Sequence, residues 1–282
     1  MSSELKIVHK SAINADISHL DKINSLKEFI GFIRPKICLF VTGIGIAGYL
    51  MFNSFDLKLL FVALASFFAT AFAYTYNMIT DKEEDLLNHK KLNRFVQGNS
   101  GIIFVGAFVV LGAIFSLYLS KLSVAVYFLL SITGAVYSYF RIKSIFPFKN
   151  LYTGFILSLV FLLGSAANSS ITMQMIIYYL AISLHIVVIS LISDLRDYEG
   201  DKSAGIKTVP VAFGYYACKK IIYGLLILFT LSVIALNLEG LFSLLPFIIP
   251  MVIYLKMNKP YHSHVAQMFS FMFLPFGIIF IV

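Results

Sequence analysis

The segment ITMQMIIYYLAISLHIVVISLISDLRDYEGD, Ile171–Asp201, decides what kind of protein this is. Residues 172–193 hold no Asp, Glu, Lys or Arg, and a run of that length matches the roughly 20 apolar residues a helix needs to cross a bilayer. Directly after it come Asp194, Asp197 and Asp201, spaced i, i+3, i+7. If the helix continues, those three carboxylates form one stripe at the membrane margin.

The rest of the chain repeats the pattern. Of 282 residues, 59% are hydrophobic and 13% charged, and mean hydropathy is +0.88. A soluble domain carries about 25% charged residues, so a water-soluble globule is excluded. From Ile37 onward nine spans are expected, at residues 37–53, 57–80, 101–120, 123–140, 151–167, 172–193, 217–236, 240–256 and 265–282. The fold class is therefore an all-α integral membrane protein, multi-pass in the cell membrane, with no second domain. Residues 1–36 form a polar tail and lead-in, with no apolar core of the secretory type. Within that tail Ser25 to Glu28 has the form of a capping box. It opens an amphipathic stretch, LKEFIGFI, which suits the membrane interface or a plain helical lead-in. Cys38 and Cys218 are too few for a disulfide framework and have no metal-ligand spacing.

Charge placement orients the spans. With the amino terminus in the cytoplasm, 20 of the 22 Lys and Arg residues fall on the cytoplasmic side, and only Lys58 and Lys121 fall opposite. That bias obeys the positive-inside rule and predicts nine crossings, amino terminus in and carboxyl terminus out. It also gives the net charge of +8 a topological reason, so nucleic acid is not an expected partner. The cytoplasmic loops after spans two and six are the long ones, where function tends to lie.

Eight of the 14 acidic residues occupy these two loops. In the first, Asn77, Asp81 and Asp85 are spaced i, i+4, i+8, a second stripe to match Asp194, Asp197 and Asp201. Stacked like charges destabilise a helix and are costly to desolvate at a bilayer edge; a bound cation removes both penalties. Hard oxygen donors without His or Cys suit Mg²⁺, which uses one or two carboxylates plus phosphate oxygens. Two such stripes read as a site for a diphosphate.

NMITDKEED (Asn77–Asp85) and SDLRDYEGDKSAGIKTVPVAFG (Ser193–Gly214) resemble the paired NxxxDxxxD and DxxDxxxD signatures of the UbiA superfamily of intramembrane prenyltransferases. VYSYFRIK (Val136–Lys143), running on to Lys149 and Asn150, resembles that family's Tyr-plus-basic segment after span four, and FIRPK (Phe32–Lys36) its lead-in. The resemblance implies that Asn77, Asp81, Asp85, Asp194, Asp197 and Asp201 hold Mg²⁺ against the diphosphate of a polyprenyl donor, on the cytoplasmic side. Basic side chains then help to neutralise the leaving diphosphate, and the allylic cation is captured by a lipophilic acceptor. Candidates for the basic clamp are Lys91, Arg94, Arg141, Lys143, Arg196 and Lys207, with Lys143 and Arg94 preferred. Tyr139, four residues before Lys143, matches the family's Tyr-x-x-x-Lys spacing and is expected to shield the cation or touch the phosphate. Met78 stands where many members carry a further Asp, and Phe95-Val96 follows Arg94 where many have Pro and a Ser-Gly turn.

Other polar features carry less. Gly43, Gly45 and Gly48 suit close helix packing. His185, deep in span six, is a functional candidate or a hydrogen-bonded structural histidine. His262 and His264 are expected in a polar loop facing water. An ion-coupled transporter is disfavoured because the acids cluster at one margin and not at mid-membrane. A nucleotide-dependent phosphotransferase would need an Asp-Gly followed by Ala-Arg, which neither stripe contains, and a scaffold would need no carboxylate stripes. The acceptor pocket has no sequence signature. An aromatic quinone precursor is the first expectation because it is the most widespread role; transfer of geranylgeranyl to geranylgeranylglyceryl phosphate, on the way to archaeal ether lipids, is the second.

Overall fold

A computed structural model of the chain describes residues 24–87, 91–168 and 170–281. The tail before residue 24, Lys90 in the first long loop and the last residue of the ninth expected span lie outside the described residues. Among those described, every regular element is helical.

The elements are α1 (24–33), α2 (Pro35–Phe52), α3 (Lys58–Thr80), α4 (Lys82–Leu87), α5 (Arg94–Gln97), α6 (Ser100–Ser116), α7 (Lys121–Tyr139), α8 (Phe148–Ser165), α9 (Met173–Arg196), α10 (Tyr198–Ser203), α11 (Val209–Phe213), α12 (Tyr215–Ala235), α13 (Leu245–Lys256) and α14 (Pro260–Ile281). Each expected span coincides with one of the longer helices. Among the described residues seven segments are long and apolar enough to cross a membrane, whereas α6, at 17 residues, is shorter. The eighth expected span opens as a 3₁₀ turn, Glu239–Leu244, and becomes α-helical only at Leu245. The ninth begins earlier than expected, because Pro260 presets the backbone of a first helical turn. His262 and His264 therefore stand on a helix and not in a loop.

α2 is the central column, packed against α3, α8 and α14. It can approach them because of its glycines. A Cβ on Gly48 would lie 2.3 Å from the carbonyl oxygen of Phe161, and one on Gly43 2.6 Å from that of Phe271. In a lipid environment, where apolar burial adds little drive, such close van der Waals approach is a main source of cohesion. The largest core joins α2, α3, α7, α8, α9 and α14 through fully buried side chains such as Ile44, Tyr127, Phe161, Ile182 and Phe271.

Residues 24–33 are a helical lead-in packed on the bundle. Phe32 is fully buried, and its ring stacks on Phe95 at 5.6 Å. The expected capping box is not what Glu28 serves. Its carboxylate accepts from the Arg94 backbone N–H (3.2 Å) and its carbonyl from the Asn93 amide (2.7 Å), which ties the lead-in to the first long loop. Those bonds satisfy a helix-start donor in α5 that the sequence-local box would have left unpaired.

Candidate active site

Both carboxylate stripes form because both spans run on into short helices. The Asp81 N–H donates to the carbonyl of Asn77 and the Asp85 N–H to that of Asp81, each at 2.9 Å. The Asp197 N–H donates to the carbonyl of Ser193 (3.1 Å) and the Asp201 N–H to that of Asp197 (2.9 Å). The i, i+4 backbone pattern therefore survives the end of each span.

The carboxylate of each stripe nearest its span is held by a lysine, Lys143 from the segment between α7 and α8 and Lys149 from the first turn of α8. The Lys143 ammonium lies 2.7 Å from Asp81 Oδ1, while the Asn77 amide donates to Asp81 Oδ2 at 2.8 Å. The Ser138 hydroxyl in turn donates to Asn77 Oδ1 at 3.2 Å, fixing which way that amide points. In the second stripe the Lys149 ammonium lies 2.5 Å from Asp194 Oδ1, and the Asn150 amide donates to Asp194 Oδ2 and to the Ser190 hydroxyl, both at 2.9 Å. Asp194 is 1% exposed, so without Lys149 and Asn150 it would be a buried uncompensated charge.

Tyr137 joins the two halves, lying within electrostatic reach of Lys143, Asp81 and Asp194. Its ring stacks on Tyr152 at 5.7 Å. Two cavities flank it. One, of about 170 Å³, runs between α3, α7 and α8 and is lined by Tyr74, Asn77, Ser138, Tyr152 and Ile156. The other, of about 200 Å³, lies between α2, α8, α9 and α14 and is lined by Phe40, Lys149, Ile186, Ser190, Ser193 and His264. Tyr74, Tyr137, Thr153 and Leu157 border both. One polar margin thus meets two apolar chambers.

The remaining expected site residues are dispersed. Asp85 and Lys91 line a separate cavity of about 310 Å³ with Glu28 and Arg34. Arg94 is exposed at the start of α5. Arg141 is exposed in a left-handed backbone conformation, φ 50°. Arg196 makes a two-pronged pair with Asp197, at 2.8 and 2.7 Å. The Lys207 ammonium stands 5.4 Å from the centre of the Phe146 ring. Tyr139 is 70% exposed, edge-on to Phe140, and borders neither chamber, whereas Tyr137, two residues earlier, borders both. Two residues shift the helix face by about 200°, so Tyr139 and Tyr137 lie on opposite sides of α7. Lys149 was visible only as the basic end of that resemblance, and nothing in the sequence paired it with Asp194. His185 is fully buried between Phe229 (4.5 Å) and Phe271 (5.3 Å), with neither ring nitrogen hydrogen-bonded among the described residues, so the expected hydrogen-bonded histidine is absent.

Among the described residues no three Asp, Glu, His or Cys side chains converge as a ready-made cage. Mg²⁺ does not require one, since one or two carboxylates and the substrate's phosphates complete its shell. The Asp201 carboxyl is pushed up from its ordinary range by burial, and the Asp194 and Asp197 carboxylates add to the rise against an opposing pull from Lys149. Burial, with the two neighbouring carboxylates, thus makes the Asp201 charge costly, and a bound cation would lower that cost. The donor set fits.

Known proteins resemble this chain in sequence and in fold. The digeranylgeranylglyceryl phosphate synthase of Methanocaldococcus jannaschii is 28% identical over 218 residues, 75% of each chain. A UbiA homolog from Aeropyrum pernix K1 superposes with a TM-score of 0.72 at 19% identity, covering 88% of this chain and 98% of that one. A UbiA homolog from Archaeoglobus fulgidus, solved bound to DMAPP and Mg²⁺, superposes with a TM-score of 0.67 at 18% identity, covering 90% and 100%. The pattern of the UbiA prenyltransferase family matches residues 37–276, nearly the whole helical bundle. The chain belongs to the UbiA prenyltransferase family.

Proposed function

We propose that this prenyltransferase moves a geranylgeranyl group from its diphosphate to the hydroxyl of geranylgeranylglyceryl phosphate, forming an ether. The observation that carries the chemistry is that Asn77, which holds Asp81, lines one apolar cavity and Lys149, which holds Asp194, lines the adjoining one, with Tyr137 bordering both. Kinship with the synthase of M. jannaschii favours the glyceryl phosphate acceptor and replaces the quinone precursor that was the first expectation.

Asn77, Asp81, Asp85, Asp194, Asp197 and Asp201 are the residues that would hold Mg²⁺. Bound there, the ion supplies positive charge where negative charge builds on the leaving diphosphate. Lys143 and Lys149 are held at the innermost carboxylates and can turn toward that diphosphate once the carboxylates are otherwise engaged. Lys91, Arg94, Arg141, Arg196 and Lys207 form the outer basic ring. Tyr137 presents its ring at the junction, where an aromatic face stabilises an allylic cation without reacting with it. The mainly apolar walls of the chambers lower the local dielectric, which strengthens each of these interactions.

The orientation in the membrane belongs to the same reading: nine crossings, amino terminus and active site cytoplasmic, carboxyl terminus opposite, with residues 1–36 a lead-in to a single domain at 37–282. The charge distribution of the loops supports it.

The test is transfer by the purified chain in lipid. Labelled geranylgeranyl diphosphate is offered with geranylgeranylglyceryl phosphate or with aromatic acceptors, in Mg²⁺ or in EDTA. Metal-dependent label in the glyceryl phosphate is the expected result. Label only in an aromatic acceptor overturns the acceptor, and no transfer together with no donor binding overturns the reaction.

A further inference from the structure

Ether formation from an alcohol releases a proton, and the chambers must dispose of it. The carbon–oxygen bond of the donor breaks with its electron pair leaving on the diphosphate. The acceptor's hydroxyl oxygen then gives a lone pair to the allylic carbon and must lose its hydrogen. In a chamber with mainly apolar walls, where few waters stand ready to accept it, that proton goes to a side chain or to the diphosphate itself.

Among the described residues lining the two chambers, the polar side chains are tyrosines, serines, a threonine, Asn77, Lys149 and His264. Hydroxyls and an amide are too weakly basic, and the Lys149 ammonium is engaged with Asp194. Among these side chains the imidazole is the available base: burial, helped by the Arg196 guanidinium against an opposing pull from Asp197, holds its pKa down at about 4, so at neutral pH the ring carries no extra proton and can accept one. We infer that His264 takes the proton from the acceptor's hydroxyl as the ether bond forms, and is thus a catalytic residue of this enzyme. The inference rests on the reaction proposed above.

The geometry places His264 where this can happen. α14 packs on both α2 and α9, and His264, in its first turns, borders the chamber that also holds Lys149, Ser190 and Ser193, the last next to Asp194. The ring is half-buried, so it meets the chamber without being sealed in the core as His185 is. The acceptor therefore belongs in the α2–α8–α9–α14 chamber. The imidazolium passes its proton to the diphosphate as that departs, which closes the cycle.

The experiment follows the fate of the allylic cation in the full-length protein in lipid, with Mg²⁺, labelled geranylgeranyl diphosphate and geranylgeranylglyceryl phosphate. Diphosphate release, ether product and free prenol are measured together for the wild type, His264→Gln and His264→Ala. Expected is diphosphate release within about threefold of the wild type, ether reduced at least tenfold, and prenol, formed by capture of water, making up the difference. Added imidazole should restore ether formation in His264→Ala. An unchanged ether-to-prenol ratio in either variant overturns the inference, as does a parallel fall in ether and diphosphate release that imidazole leaves unrelieved. A wild type that releases diphosphate but forms no ether with this acceptor overturns instead the reading on which the inference rests.

Discussion

Lys149 and Asp194 meet at 2.5 Å across two helices, the cation from the first turn of α8 and the carboxylate from the last turn of α9. The pair is lopsided. Asp194 is 1% exposed, whereas the Lys149 side chain is 27% exposed on the cavity side. A carboxylate so placed cannot be hydrated, so it must be paired at all times, and the lysine is the partner free to exchange.

Asp81→Asn and Asp194→Asn are each expected to abolish transfer, by at least about 100-fold in kcat, while the protein still inserts and elutes as a folded species. Activity in lipid and size-exclusion profiles in detergent check both halves of the statement. Normal turnover in either variant removes that residue from the metal set.

Lys149→Met leaves Asp194 buried without its cation. Breaking a fully buried pair costs about 3–5 kcal/mol; with the lysine a quarter exposed, a loss of about 1–3 kcal/mol is expected. Thermal unfolding in detergent should show it, and Lys149→Met with Asp194→Asn should recover much of the loss.

Lys143 holds the more open carboxylate, Asp81. Lys143→Ala is expected to raise KM for the donor diphosphate or lower kcat by about 10-fold or more, with the fold intact. Unchanged donor kinetics would reject its part in the clamp.

The two tyrosines of α7 separate a site role from a surface one. Tyr137→Ala is expected to lower kcat at least about 10-fold, and Tyr139→Ala to leave it within about twofold. Equal effects would mean that the ring at the junction of the chambers does not matter.

Asp201 has a carboxyl raised above its ordinary value by burial and by neighbouring carboxylates. The folded state therefore binds this proton more tightly than the unfolded chain does, so its charged form opposes folding above the ordinary carboxylate range and the penalty fades as the pH falls. Without metal, Asp201→Asn should melt above the wild type at pH 7, with the gap closing toward pH 4, and should be poor in transfer. A gap that does not narrow on acidification contradicts the assigned cause.

Much of this was legible in the chain. Long uncharged runs such as residues 172–193 can only be covered by lipid or by each other, so helices and their approximate limits followed from composition and period. The two carboxylate stripes were also readable, because i, i+3, i+4 spacing is a property of one helix and needs no knowledge of its neighbours. What required the tertiary structure were the relations between helices. That Lys143 meets Asp81 and Lys149 meets Asp194, that Tyr137 and not Tyr139 stands at the junction, and that His264 joins a chamber wall all depend on how α7, α8, α9 and α14 are rotated about their axes. Helix rotation is set by close packing, as at Gly48 against Phe161, and lysines needed for topology look the same in sequence as lysines needed at a site.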